Sequence, residues 1–73
     1  MYRGVANYTR AAYDSAIADF DMVLKLDPDA IEALFGRGMA KQRNGDSSGA
    51  VDIAAAKAIQ SDIAEVMVNY GVQ

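Results

Sequence analysis

The sequence contains no cysteine and no histidine. Without cysteine, neither a disulfide nor a thiolate zinc site can staple the fold. Without histidine as well, the commonest general base, the usual nucleophile–base pairs and most transition-metal sites are missing. Apolar stretches run for only a few residues, against the roughly 20 needed to span a bilayer. Positive charge is also scarce. Seven bases against ten acids leave a net charge of −3, where nucleic-acid binding would call for a clustered basic face. A single proline and 52% apolar residues argue against disorder. The opening Met1-Tyr2-Arg3-Gly4 lacks the basic-then-apolar order of a signal peptide. A soluble, cytoplasmic protein is expected, with no nucleic acid, membrane or small-molecule substrate as partner.

The chain has 73 residues, enough for one small domain. The acids Asp14, Asp19, Asp21, Asp27 and Asp29 are dense, but no loop has the ligand order and glycine of a calcium site. They read as a solvated helix face and helix ends. Gly36-x-Gly38 has no strand before it, so it reads as a close helix–helix approach instead of a phosphate-cradling loop. No catalytic residue, metal ligand or cofactor is expected, and the chain is read as a non-enzyme.

What is present is helical periodicity. Ala16, Ile17, Phe20, Val23 and Leu24 recur at three- and four-residue steps and line one face of a helix over 14–26, which stops before Pro28. Asp29 and Glu32 form the pattern of a capping box for a second helix, which runs to about Asn44 and ends at Gly45. Asp46-Ser47-Ser48 offers capping oxygens for a third over 48–59. Asp62 and Glu65 open a last helix carrying Ile63, Val66, Met67 and Tyr70, stopped by Gly71. Residues 1–10 are also helix-compatible, although Gly4 weakens them. No segment alternates with period two, so the expected fold is all-α.

Sliding the chain against itself by 34 residues aligns Arg3-Gly4-x-Ala6 with Arg37-Gly38-x-Ala40, and Ala16-Ile17 with Ala50-Val51. Tyr13-Asp14-x-Ala16-Ile17, Ala16-x₃-Phe20 and Leu24-x-Leu26-Asp27-Pro28 resemble the second helix of a tetratricopeptide repeat and its exit. Gly45-Asp46 resembles the turn between the two helices of a second unit. The resemblance covers most of the chain and implies antiparallel helix–turn–helix repeats, an α-solenoid fragment. Residues 1–30 would be a first repeat with a shortened helix A, 31–60 a second repeat, and 61–73 a capping helix. Such arrays act as protein-binding scaffolds.

The departures from the pattern are specific. Arg3 and Arg37 stand where the family has leucine, and Asn7 and Lys41 where it has tyrosine. In the second unit Ala54 stands for the phenylalanine, Ser47 for the aromatic at the turn and Asp62 for the proline. Arg37 is expected to pair with acids on an adjacent helix, Asp19 or Asp52. The lysine–asparagine clamp of domains that hold chaperone tails is absent, since Met1, Val5 and Gly36 occupy its positions.

The resemblance places Val5, Tyr8, Thr9, Glu32, Phe35, Met39, Gln42 and Arg43 on a concave face, where a peptide or protein partner would dock. Tyr8, Phe35 and Met39 would form its apolar centre and Glu32, Gln42 and Arg43 its rim. The alternative for Tyr8, Phe35 and Met39 is plain packing between neighbouring helices. A shortened first helix would also leave Met1, Tyr2, Val5 and Tyr13 on an open edge. Self-association there, as a homo-oligomer or a domain-swapped dimer, is the alternative function.

Overall fold

The computed structural model describes residues 2–73 and, for Tyr2, the backbone alone. Five helices follow one another: α1 (Tyr2–Thr9), α2 (Tyr13–Leu26), α3 (Ile31–Arg43), α4 (Gly49–Ile59) and α5 (Ile63–Val68). Among the described residues there is no strand, as the absence of period-two alternation implies. None of the helices is long and apolar enough to cross a membrane. α1 packs on α2, α2 on α3 and α3 on α4, while α5 lies mainly against α3 and more lightly against α4. The result is nearly isometric, with axes of 26 × 24 × 24 Å.

Two turns share one geometry. Ala11 and Gly45 lie 34 residues apart, and both have a left-handed backbone, with φ of 60° and 84°. Each donates its N–H to the carbonyl three residues back, Tyr8 and Gln42 respectively. The next residues, Ala12 and Asp46, donate to Asn7 and Lys41. This double closure satisfies carbonyls that the end of a helix leaves unpaired. Gly45 adopts it freely, whereas Ala11 carries a Cβ into a region that costs an L-residue about 1–2 kcal/mol.

The connectors into α3 and α5 are also alike. Asp27 and Gln60 are both extended at the end of their helices, and their carbonyls accept from Ala30 and Ile63. These positions are 33 apart, so Ser61, and not Asp62, stands where Pro28 stands. The expected capping box at Asp29 does not form. Helix α3 starts from Ala30 without a side-chain cap, and Asp27 instead accepts the Asp29 N–H at 3.1 Å, which orders the loop ahead of the helix.

The loss of one residue begins at the entry to α4. Gly49, Ala50 and Val51 donate to Asp46, Ser47 and Ser48, three successive bonds of three-residue span. Such winding takes about 3.0 residues per turn against about 3.6 in an α-helix. Over a turn and a half the phase advances by about one residue. At α2 the first bond, Ala16 to Ala12, spans four residues from the outset. Gly49 and Ile53 therefore take the places of Ala16 and Phe20. Ala50 and Ala54, expected there from the 34-residue alignment, face solvent, and Val51 is 70% exposed.

Phe20 is the centre of the first hairpin. Its ring is fully buried between α1 and α3, so close that a Cβ on Gly4 would sit 2.8 Å from it and one on Gly36 2.5 Å. Glycine is needed at both flanks because the ring fills that space. At the α3–α4 crossing the backbones themselves meet: a Cβ on Gly49 would lie 2.3 Å from the Gly38 carbonyl oxygen. The expected close approach at Gly36 and Gly38 is thus made to two different neighbours.

Candidate functional site

Arg3, Asn7, Arg37 and Lys41 form a pair of acid grips. On α1, Asn7 donates to Asp19 at 2.7 Å and Arg3 reaches the same carboxylate at 3.4 Å. One hairpin later, Arg37 holds Asp52 with two bonds of 2.8 and 2.9 Å, and Lys41 lies 3.3 Å from it. Arg37 also donates to Asp21 at 2.8 Å. Arg37 thus pairs with Asp52, one of the two acids expected, and with Asp21 in place of Asp19. Burial pushes the Asp52 carboxyl up, but the bonds and charge of Arg37 and then Lys41 outweigh it and hold the group below its ordinary range. Arg37 is held above its ordinary value chiefly by its hydrogen bonds to Asp52. These grips fasten α1 to α2 and α3 to α4.

The expected partner face on α1 and α3 is more closed than its composition suggests. Tyr8 is 6% exposed and Phe35 4%, so both belong to the core and neither is an open anchor. Met39 and Val5 are half-buried and pack on that core. Glu32 is half-buried, Thr9, Gln42 and Arg43 are exposed, and the Gln42 stem runs alongside Gly49 of α4. The burial of Tyr8 and Phe35 fits the packing alternative, since both belong to the core cluster.

What the structure brings together on this face is Tyr8, Arg43 and Gln73. The Tyr8 hydroxyl donates to the Gln73 main-chain oxygen at 2.7 Å. Arg43 donates through Nε to the Tyr8 hydroxyl oxygen at 3.3 Å and through a terminal nitrogen to that same Gln73 oxygen. The bond to Tyr8 is also the main reason that the Arg43 guanidinium is held above its ordinary pKa. The Tyr8 ring is set in turn by an edge-on contact with Tyr13, with centroids 5.6 Å apart.

The tail reaches this position because the chain reverses at Gly71, whose φ is 84°. Gly71 donates to Val68 and Val72 to Met67, the same closure seen at Ala11 and Gly45. Val72 is thereby turned inward and fully buried with Met67 and Ile63. Thr9 of α1 flanks Gly71, where an added Cβ would meet its methyl at 3.1 Å. The sequence offered a signal for this: an apolar residue directly after the glycine that ends a helix commonly folds back on the last turn. Tyr70, expected on the inner face of the last helix, is 46% exposed instead.

Of the expected self-association edge, Val5 and Tyr13 are half-buried against the core. Tyr2 is described through its backbone alone, and Met1 lies outside the described residues. No family model, curated protein or solved structure matches this chain.

Proposed function

We propose that this chain is a protein-interaction module, two tetratricopeptide-type hairpins closed by α5, whose α1–α3 face binds an extended polypeptide segment. The observation that carries the proposal is the grip on the Gln73 main-chain oxygen by the Tyr8 hydroxyl and Arg43. A main-chain oxygen held by a hydroxyl and a guanidinium is recognition of backbone, which any polypeptide supplies. Val72, buried one position earlier, adds the apolar anchor that peptide-binding grooves use for specificity. The repeat assignment draws on the left-handed turns at Ala11 and Gly45, 34 residues apart, and on helices that pack in chain order. Met39, Gln42 and Glu32 complete the face around Arg43. The role is binding without a catalytic step, and the cytoplasm is its proposed setting.

The test is selection of a displayed random-peptide library on the immobilised chain, followed by titration of the enriched peptides. Binding should weaken about tenfold or more in Arg43→Ala, whose side chain is exposed and whose loss leaves the helices intact. Peptides indifferent to Arg43, or no enrichment at all, would remove the α1–α3 face as the docking surface.

A second reading is self-association through α1. Val5 and Tyr13, two residues of the proposed edge, are only half-buried and so stay partly open to a second copy. Val5→Glu should then turn an oligomer into a monomer or an unfolded chain, read by sedimentation equilibrium with circular dichroism alongside. An oligomer that survives Val5→Glu has its interface elsewhere.

A further inference from the structure

Residues 71–73 occupy the very face on which a partner is proposed to dock. From this we infer that the segment is an intramolecular ligand, a strap that competes with the partner for Tyr8 and Arg43 and must lift for the partner to bind. The inference rests on the interaction reading above and adds its regulation.

Three features distinguish a strap from a permanent part of the core. Its hold is local: past Gly71 a single side chain, Val72, is buried, while Gly71 and Gln73 are exposed. Its hinge is a glycine in the left-handed region, at the point where the chain reverses, so the segment can swing without straining a side chain. The helix before it has anchors of its own, since Ile63 and Met67 are themselves fully buried in the core. The grip, moreover, falls on a main-chain oxygen, which an incoming segment can replace atom for atom.

A ligand tethered by so short a connection acts at an effective concentration of about millimolar. It therefore screens out weak segments and yields to strong ones, and the apparent affinity of any partner falls by the fraction of time the strap is seated. The chemistry that displaces it is its own: an aliphatic side chain followed directly by a residue with a free main-chain oxygen.

The experiment compares the full chain with Val72→Asp, using a labelled peptide Asn-Tyr-Gly-Val-Gln as the probe in fluorescence anisotropy. The substitution unseats the strap and leaves Tyr8 and Arg43 untouched. The peptide should bind Val72→Asp at least about tenfold more tightly than the parent chain, with helical circular dichroism retained. If Val72→Asp does not fold, Val72→Ala gives a smaller gain of the same sign. Hydrogen exchange on the parent chain needs no variant at all. The Val72 amide should exchange at least about a hundredfold faster than the slowest amides of α3, by local opening. Equal affinity of parent and variant for the peptide would overturn the strap and leave the interaction reading standing. No binding to a folded Val72→Asp, or a Val72 amide as slow as those of α3, would also overturn it. The display selection then decides the interaction reading separately.

Discussion

The two hairpins solve one problem with different materials. At α1–α2 the packing is filled by Phe20, whose ring takes the space left by Gly4 of α1 and Gly36 of α3. In α3–α4 the corresponding residue is Ile53, only half-buried, and the helices close until Gly38 and Gly49 touch through their backbones. The acid grips differ in the same sense. Arg3 is 85% exposed and holds Asp19 loosely, whereas Arg37 is 23% exposed and holds Asp52 in two-pronged fashion. Where bulk supplies the packing the ion pair is incidental, and where bulk is missing close approach and a part-buried ion pair take its place. The comparison also gives Arg3, Asn7, Arg37 and Lys41 a common role, since each pair meets an acid on the next helix.

The largest expected effect breaks the first hairpin. Phe20→Ala should cost about 3–5 kcal/mol in denaturant unfolding, because three elements lose their common filler. Ile53→Ala, the matching change in the second hairpin, should cost clearly less. Comparable losses from the two would mean that the hairpins share one packing scheme after all.

Next comes the crossing of α3 and α4. Gly49→Ala should destabilise by about 1–3 kcal/mol, since its methyl would run into the Gly38 carbonyl oxygen and the backbone nitrogen and stem of Gln42. Ala16, its counterpart in the first hairpin, already carries that methyl and is fully buried. A neutral Gly49→Ala would show that the second crossing has room to spare.

The ion pairs come third. Arg37→Ala should cost about 1–2 kcal/mol once solvent screening is allowed for, and Arg3→Ala less than about 0.5 kcal/mol. The pH dependence follows from Asp52, whose pKa is depressed in the folded chain. Its contribution is complete above the ordinary carboxylate value of about 3.9 and is lost as pH falls through the depressed folded value. Arg37→Ala should therefore flatten the acid limb of stability measured between about pH 5 and pH 2, and Arg3→Ala should leave it unchanged.

The smallest effects concern the twin turns, and they have opposite signs. Ala11→Gly should stabilise by about 0.5–1 kcal/mol, because glycine accepts the left-handed backbone. Gly45→Ala should destabilise by about 1 kcal/mol from backbone conformation alone, since its surroundings are empty within 4 Å. Thermal unfolding of the pair decides it, and shifts of the same sign would contradict the equivalence of the turns.

Much of the helix layout was legible in the sequence because it rests on local rules. The apolar spacing through Leu24 and the proline after Asp27 delimit α2, and Gly45 ends α3 as a left-handed residue does. The phase of α4 was not legible. It depends on tight winding across Asp46, Ser47 and Ser48, which rotates every later side chain without altering the pattern itself. The start of α3 departs from the capping-box pattern because the Asp29 N–H is taken by the Asp27 carboxylate in the loop, and the helix begins two residues later without a side-chain cap. At the candidate site Arg43 was legible as a rim residue. That Val72 and Gln73 come to lie against it was not, because contacts 30 and 65 residues apart leave no local periodicity.

The most direct test of the docking face is an amide chemical-shift map of the labelled chain with a display-selected peptide. The account predicts that the perturbed residues gather at Tyr8, Met39, Arg43 and residues 71–73. Perturbations gathered instead on the outward apolar residues of α2 and α4, around Met22, Leu26 and Val51, would contradict it and place the partner on the opposite side of the hairpins.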